Sequence, residues 1–396
     1  MSSAIVIARI WLVRLGFMLG ARLPMRPTVL LATSHAGRIG GNLAAIRAEL
    51  ARRSPAISTT VLAHRPGAGA LARLAAMGHA VLAGFWLARS RLVVVDDYYF
   101  PLYAIRPRPG MTAVQVWHAS GAFKKMGYSL EGKSFGADAA VLRRVTIHSN
   151  YDLCLVSAQR FAPHYAEAFR LPLDRFTARL GIPRTDPLVD PSWRARSTER
   201  VRRRYAIPPD TRVVLYAPTF RGNRVTAARH AQALDFAELQ RRLGEDHIVL
   251  VRAHPFVRNP VPLDPSLRGF VVDASGHADI HELMAASDVL VTDYSSAMYE
   301  YSVFGRPIAF FAPDHAEYER ERGFYLDFPS DLPGPVFERT EPLAEYLAAG
   351  VFDIARVQRF RDASFDVLDG RATARFVDEV VLPALAGLDA RLPAVR

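Results

Sequence analysis

Cysteine is almost missing from this chain: its 396 residues include one, Cys154. An internal disulfide is therefore impossible, and the fold does not depend on an oxidising compartment. Cys154 sits in the apolar run YDLCLVS with nothing in sequence to depress its pKa, and reads as a small buried side chain rather than a nucleophile. The common nucleotide fingerprints are missing too. Gly37, Gly40 and Gly41 follow the first apolar run, but neither G-x-G-x-x-G spacing nor a Lys-Ser/Thr pair accompanies them, so they read as a tight turn. Zinc-finger spacing, an aromatic RNA-recognition signature and a basic region leading into heptads are all lacking, which argues against a nucleic-acid partner. No solenoid-length repeat and no low-complexity tract occurs.

A long unbroken apolar run is lacking as well. Ala4 to Leu23 is strongly apolar but carries Arg9 and Arg14, whereas a spanning helix needs about 20 predominantly apolar residues. We read residues 1–24 as an interfacial helix, with Arg9, Arg14 and Arg22 directed at lipid headgroups; a helix packed on the first domain is the competing reading. No clear small-x-small cleavage site follows, which disfavours a signal peptide.

What remains is an ordinary globular composition, with half the residues hydrophobic and 22% charged, long enough for two or three domains. Fifty Lys plus Arg against 39 Asp plus Glu give a net charge of +11, which implies an anionic partner such as a nucleotide or an acidic membrane surface. The arginines crowd between Arg194 and Arg229, and the run Arg202 to Arg204 reads as a solvated face.

Apolar, β-branched runs alternate with helical stretches, the pattern of α/β layers around parallel sheets. The first half offers strands at Thr28–Thr33, Thr59–Ala63, Leu92–Val95, Ala113–Trp117 and Leu153–Val156. The second offers Val213–Ala217, Ile248–Val251, Phe270–Val272, Val289–Thr292 and Ile308–Phe311. Pro183 to Tyr205, rich in Pro, Asp and Arg, is the candidate hinge between two doubly wound domains, residues 25–190 and 205–370, with a C-terminal helix in 371–396.

Three strand ends carry chemistry, where open α/β sheets hold their ligands. The run DVLVTDYSS ends in Asp293, Tyr294, Ser295 and Ser296, with Glu300 a turn further on; the two serines suit a phosphate at a helix start, or simply a helix cap. TAVQVWHASGAFKKMGY places His118 at a strand tip ahead of Lys124 and Lys125, which suits proton removal near an anion. IVLVRAHPFV brings Arg252 and His254 to a third tip before Pro255. Thr219 and Arg221, in YAPTFR, belong to the same rim, with Arg221 a candidate bidentate phosphate contact. Ser34, ending the first strand, and Lys124 are candidate contacts for an acceptor or a phosphate, and Asp96 and Asp97 for a metal or an acceptor hydroxyl.

Taken together, VWHASGAFKKMGY, VLYAPTFRG, VRAHPF and TDYSSAMYEYSVFGRPIAFF resemble the CDP-glycerol glycerophosphotransferase family of teichoic-acid-type primases and polymerases, in family order from about Val94 to Phe328. Trp117 and His118 match the family's WH signature, with Ala119 where Gly is frequent; His254 and Pro255 match its HP pair, and Thr292 to Ser296 its T-D-Y-S-S block. The resemblance implies a GT-B fold, an acceptor-side first domain and a donor-side second. It also implies a CDP-glycerol or CDP-ribitol donor and a lipid-linked saccharide acceptor at the cytoplasmic face of a membrane. His118 would then be the base, and His254, Arg252, Thr219, Arg221, Asp293, Ser295 and Ser296 would hold the donor. Glu300 would meet the ribose, and no metal or other cofactor is expected. A GT-B glycosyltransferase using a UDP- or GDP-sugar is the rival enzyme, and a basic protein binding an anionic polymer is the rival without catalysis.

Overall fold

The computed structural model describes residues 3–387 except 35, 65, 66, 68, 132, 134, 135, 137, 223–227, 232, 233, 258, 260 and 262. The first half builds one parallel sheet from β1 (Arg26–Thr33), β2 (Ser58–Ala63), β3 (Ser90–Val95), β4 (Thr112–Gln115), β5 (Leu153–Leu155) and β6 (Phe176–Thr177), in the order β2-β1-β3-β4-β5-β6. Val29, Leu30, Leu31 and Ala32 are all fully buried. Both faces of β1 are therefore covered, which is why it reads as a continuous apolar run instead of an alternating one. Leu30 pairs with Val93, and Val93 with Ala113.

The second half repeats the construction with β7 (Arg212–Tyr216), β8 (His247–Val251), β9 (Val271–Asp273), β10 (Val289–Thr292), β11 (Ile308–Phe311) and β12 (Val336–Phe337), all parallel, in the order β12-β11-β10-β7-β8-β9. The strand order reverses between β1 and β3 in one sheet and between β7 and β10 in the other, and each reversal opens a crevice at the strands' carboxyl ends. All ten strands expected from the sequence lie within two residues of their limits. β6 and β12, with two residues each, are too short to carry a period.

Three segments outside the sheets take definite shapes. Pro183 to Tyr205, the candidate hinge between the two sheets, is helical: it forms a 3-10 helix, Pro183–Val189, and an α-helix, Pro191–Arg204. Proline suits a first helical turn, Asp190 caps the helix by accepting from Ser192 N at 2.8 Å, and Thr198 ties it to Ala285 O at 2.9 Å. The expected C-terminal helix is described over Ala372–Ala386 with a π-helical turn inside and packs on the first sheet through Phe376, Val377, Val380 and Val381; residues 388–396 are outside the described residues. The apolar N-terminal helix, Ser3–Ala21, does not stand alone. It packs on a second apolar helix, Ala70–Arg89, so closely that a Cβ on Gly16 would lie 1.9 Å from Val81 O and one on Gly84 2.0 Å from Val13 O. Of the three arginines expected at headgroups, Arg14 and Arg22 are exposed, although Arg14 also donates to Ala104 O at 3.0 Å, whereas Arg9 turns inward over Phe100.

The halves share one apolar cluster that includes Val93 and Phe123 from the first and Tyr299 and Phe310 from the second. Gly121, at φ +69, sits where a Cβ would be 2.3 Å from the Tyr299 ring. The neighbouring backbone is stitched across the halves by Lys125 N to Gly323 O at 3.1 Å and Tyr325 N to Phe123 O at 2.8 Å.

Candidate active site

A cleft of about 1880 Å³ lies between the sheets' carboxyl ends, and His118, Lys124, Thr219, Arg252, His254, Ser295, Ser296 and Glu300 all line it. Residues from four separate strand tips and both halves thus meet at one place. Ser34, Arg221 and Asp293 stand outside its wall.

On the first-half wall the loop after β4 is held in an uncommon shape. Trp117 has φ +52, rare for a bulky residue. Asn42 Nδ2 donates to both Val116 O and Trp117 O at 2.8 Å, and Trp117 N donates to Gln115 Oε1 at 2.9 Å. The Trp117 ring lies 4.5 Å from that of His118. His118 Nδ1 is 3.2 Å from Asp96 O and 3.6 Å from an Asp97 carboxylate oxygen. A carbonyl can only accept, so Nδ1 carries the proton and the lone pair is on Nε2. Asp97, beside the ring, favours the imidazolium once that lone pair takes a proton.

The opposite wall has the reverse tautomer. Phe256 N donates to His254 Nδ1 at 3.2 Å, which puts the proton of a neutral ring on Nε2. Phe220 and Phe256 brace the ring, each 4.8 Å away. Arg252 is fixed through Nη1 by Ala253 O at 3.0 Å and Ser275 O at 2.6 Å, and burial lowers its pKa from the usual guanidinium value. Ser295 Oγ accepts from Ala297 N at 3.2 Å, so it does cap the following helix, while Ser296 makes no side-chain cap. That helix, Ala297–Ser302, has six residues and a correspondingly short dipole.

Three residues have other partners than those expected. Arg221, foreseen as a phosphate contact, is forked onto Asp314 at 2.5 and 3.0 Å and held by Asp293 at 2.9 Å. Burial opposes its charge, but these carboxylates outweigh it and raise its pKa. Asp293, 1% exposed, also accepts the backbone N–H and hydroxyl of Thr219 at 2.8 and 3.0 Å. The triad is a buried brace under the rim, and neither Asp293 nor Arg221 lines the cleft. Glu300, foreseen at a ribose, is 4% exposed and takes Ser120 Oγ at 3.1 Å and His281 Nε2 at 2.7 Å. Arg184 Nε is 3.1 Å from it, off-line for a hydrogen bond but close enough to pair charges. Burial would raise the Glu300 pKa, yet Arg184 and His281 pull it down to about 2.

Arg184 escaped sequence reasoning, because it sits in the supposed hinge. Its backbone N donates to Asn42 Oδ1 at 2.9 Å, and its guanidinium donates to His118 O. One side chain therefore joins the His118 loop to Glu300 in the other half. Asn42, Ser120 and His281 were equally silent, since nothing local marks a residue whose partners lie elsewhere in the chain. Among the described residues no group of three or more His, Cys, Asp or Glu side chains is placed to hold a metal ion.

Residues 17–382 match the family model for CDP-Glycerol:Poly(glycerophosphate) glycerophosphotransferase. The chain is 34% identical over 375 residues to the teichoic acid ribitol-phosphate primase of Bacillus spizizenii, covering 94% of this chain and 95% of that one. It is 36% identical over 300 residues to the teichoic acid poly(ribitol-phosphate) polymerase of the same organism, of which it spans 48%. Among solved structures, the wall teichoic acid polymerase TagF superposes with a TM-score of 0.74 over 96% of this chain and 94% of that one, at 21% identity. The fold is accordingly GT-B, and the chain is a transferase belonging to the CDP-glycerol:poly(glycerophosphate) glycerophosphotransferase family.

Proposed function

We propose that this enzyme moves glycerol phosphate or a related alditol phosphate from its CDP-activated form to a hydroxyl of a membrane-associated, lipid-linked saccharide or growing polyol-phosphate chain, releasing CMP. The observation that carries this reading is the pair of opposite imidazole tautomers on facing walls of one cleft. The acceptor hydroxyl attacks the alditol-bearing phosphorus in line and gives its proton to His118 Nε2, while the bond to the bridging oxygen breaks and its electron pair leaves with CMP. His254 Nε2–H and the Arg252 guanidinium meet the charge growing on the leaving phosphate, with the Ser295 and Ser296 hydroxyls beside them. Lys124, 3.3 Å from Tyr318 OH on the cleft wall, is a second cation for donor or acceptor phosphate. Thr219 shapes the rim and spends its hydroxyl proton on Asp293. These fixed cations take the part a divalent ion plays elsewhere, so the reading includes no resident metal.

The same reading places the protein on a membrane surface. The helices Ser3–Ala21 and Ala70–Arg89 have mean hydropathies of 1.8 and 1.4 and are mostly unburied. Together they expose Trp11, Leu15, Met18 and Leu19 on one and Leu71, Leu74 and Met77 on the other. An apolar patch of this size suits an interface with lipid, and Arg22 with the net charge of +11 favours an anionic leaflet. The transfer is tested by mass spectrometry of the product formed from CDP-glycerol or CDP-ribitol and a lipid-linked disaccharide. Alditol phosphate added to the saccharide with equimolar CMP is expected; transfer of a sugar from a UDP- or GDP-donor instead would overturn the reading.

A further inference from the structure

Arg9 is out of place. It lies on an apolar helix, on the inward stripe it shares with Val13, Gly16 and Gly20, and its guanidinium carbon stands 4.2 Å over the Phe100 ring. Among the described residues it makes no ion pair and no hydrogen bond, although it lines the same cleft as His118. A desolvated cation with only a ring face for company is costly, and burial lowers its pKa accordingly. The neighbouring imidazoles do not relieve it. His64 and His79 stack at 4.6 Å, and burial with the nearby Arg9 charge pushes His79 down to about 4, so both are neutral near pH 7. Asp96, Asp97 and Asp138 line the same cleft, and each has partners of its own.

Between Arg9 and His118 the cleft is walled by Tyr98, Phe100, Trp117 and His148. His148 is kept neutral by burial, its pKa pushed down to about 3, and stacks on Phe169 at 4.0 Å. The first-half wall thus runs from a base with an adjacent carboxylate, past aromatic faces, to an unpaired cation, on a helix whose outer side is bare apolar surface. A saccharide joined through a diphosphate to a lipid has the matching sequence of groups: hydroxyl, sugar faces, anion, hydrocarbon.

We propose that this recess is the acceptor subsite, with the acceptor's diphosphate against Arg9 and its sugar between Tyr98 and Trp117; the proposal rests on the transfer reading above. The competing source of the anion is a phospholipid headgroup of the bilayer itself. The test is run in detergent without phospholipid, on Arg9→Gln, Arg9→Lys and Tyr98→Leu, with two acceptors carrying the same saccharide, one on a lipid diphosphate and one on an uncharged alkyl chain. Arg9→Gln is expected to raise KM for the diphosphate acceptor about 10- to 100-fold, the usual worth of a charged contact. It should leave KM for the alkyl glycoside and for CDP-alditol unchanged, with Arg9→Lys partly restoring the first. Tyr98→Leu should weaken both acceptors.

Equal effects of Arg9→Gln on both acceptors would overturn the subsite, as would normal kinetics in detergent with lost binding to phosphatidylglycerol vesicles, and Tyr98→Leu without effect would remove the aromatic wall. Equilibrium binding of the diphosphate acceptor, which needs no turnover, separates the two readings. Arg9-dependent binding by an enzyme that releases no CMP would sink the transfer reading and keep the subsite. Turnover with Arg9-independent binding would do the reverse.

Discussion

The two rims of the cleft are built on the same parallel-sheet plan and held by different forces. The first-half rim is held mainly by neutral hydrogen bonds around an unusual backbone: Asn42 and Gln115 hold Trp117 at φ +52, with the Arg184 guanidinium on His118 O, so that His118 stands out with its lone pair on Nε2. The second-half rim is propped from below by buried charge, Arg221 between Asp293 and Asp314, with Thr219 attached. The first arrangement fixes one ring in one tautomer, which a base requires. The second tolerates a highly charged ligand above it because its own carboxylates are already neutralised and turned away. The difference teaches that charge near a site is not charge in the site: Arg221 and Asp293 are the more strongly paired, and His118 and Arg252 face the cleft.

The comparison breaks if the two rims respond alike to substitution. His118→Ala should cut transfer by about 10²- to 10⁴-fold, the usual worth of a general base, with stability and CDP-alditol affinity near those of the parent. Single-turnover CMP release, calorimetry and urea unfolding give the three readings, and a large stability loss would contradict the picture of His118 as an outlying ring. Asp293→Ala should do the opposite in kind, costing about 3–5 kcal/mol of stability because it leaves Arg221 buried with one partner fewer. Urea unfolding measures it, and a loss below about 1 kcal/mol would mean that the triad does not support the rim.

Gly121→Ala tests the seam between the halves. The new methyl group would meet the Tyr299 ring at 2.3 Å with φ at +69, so a cost of about 1–3 kcal/mol is expected, and an unchanged midpoint would show that the seam yields. The smallest effect sharpens the role of the cross-half tie. Glu300 titrates near 4.5 when unfolded and is held to about 2 in the fold by Arg184 and His281. Its folded pKa is depressed, so its contribution is complete above about pH 4.5 and drains away as the pH falls from there toward 2. The parent should therefore lose more stability than Glu300→Gln between pH 5 and pH 3, and parallel pH profiles would assign the tie no weight.

Much of this was legible in the sequence where the signal is local. Apolar runs such as Val289–Thr292 and Ile308–Phe311 announce buried parallel strands, and His118, His254 and Ser295 stood out because each follows such a run directly. What could not be read is partnership. YAPTFR shows an arginine at a rim but not that Asp314, 93 residues away, takes both arms of its fork. The Pro-rich stretch before Tyr205 looked loose because proline marks turns and helix starts equally. The helix Ala70–Arg89 went unnoticed because its apolar run passes into the strand Ser90–Val95 without Gly or Pro between them.

The central claim is that the cleft faces a lone pair on one wall with an N–H on the other, and the nitrogen NMR spectrum of histidine-labelled protein at pH 8 tests it most directly. His118→Gln and His254→Gln assign the two rings. The account predicts the Nδ1–H form for His118 and the Nε2–H form for His254. Finding His118 protonated on Nε2, or both rings in the same form, would contradict it.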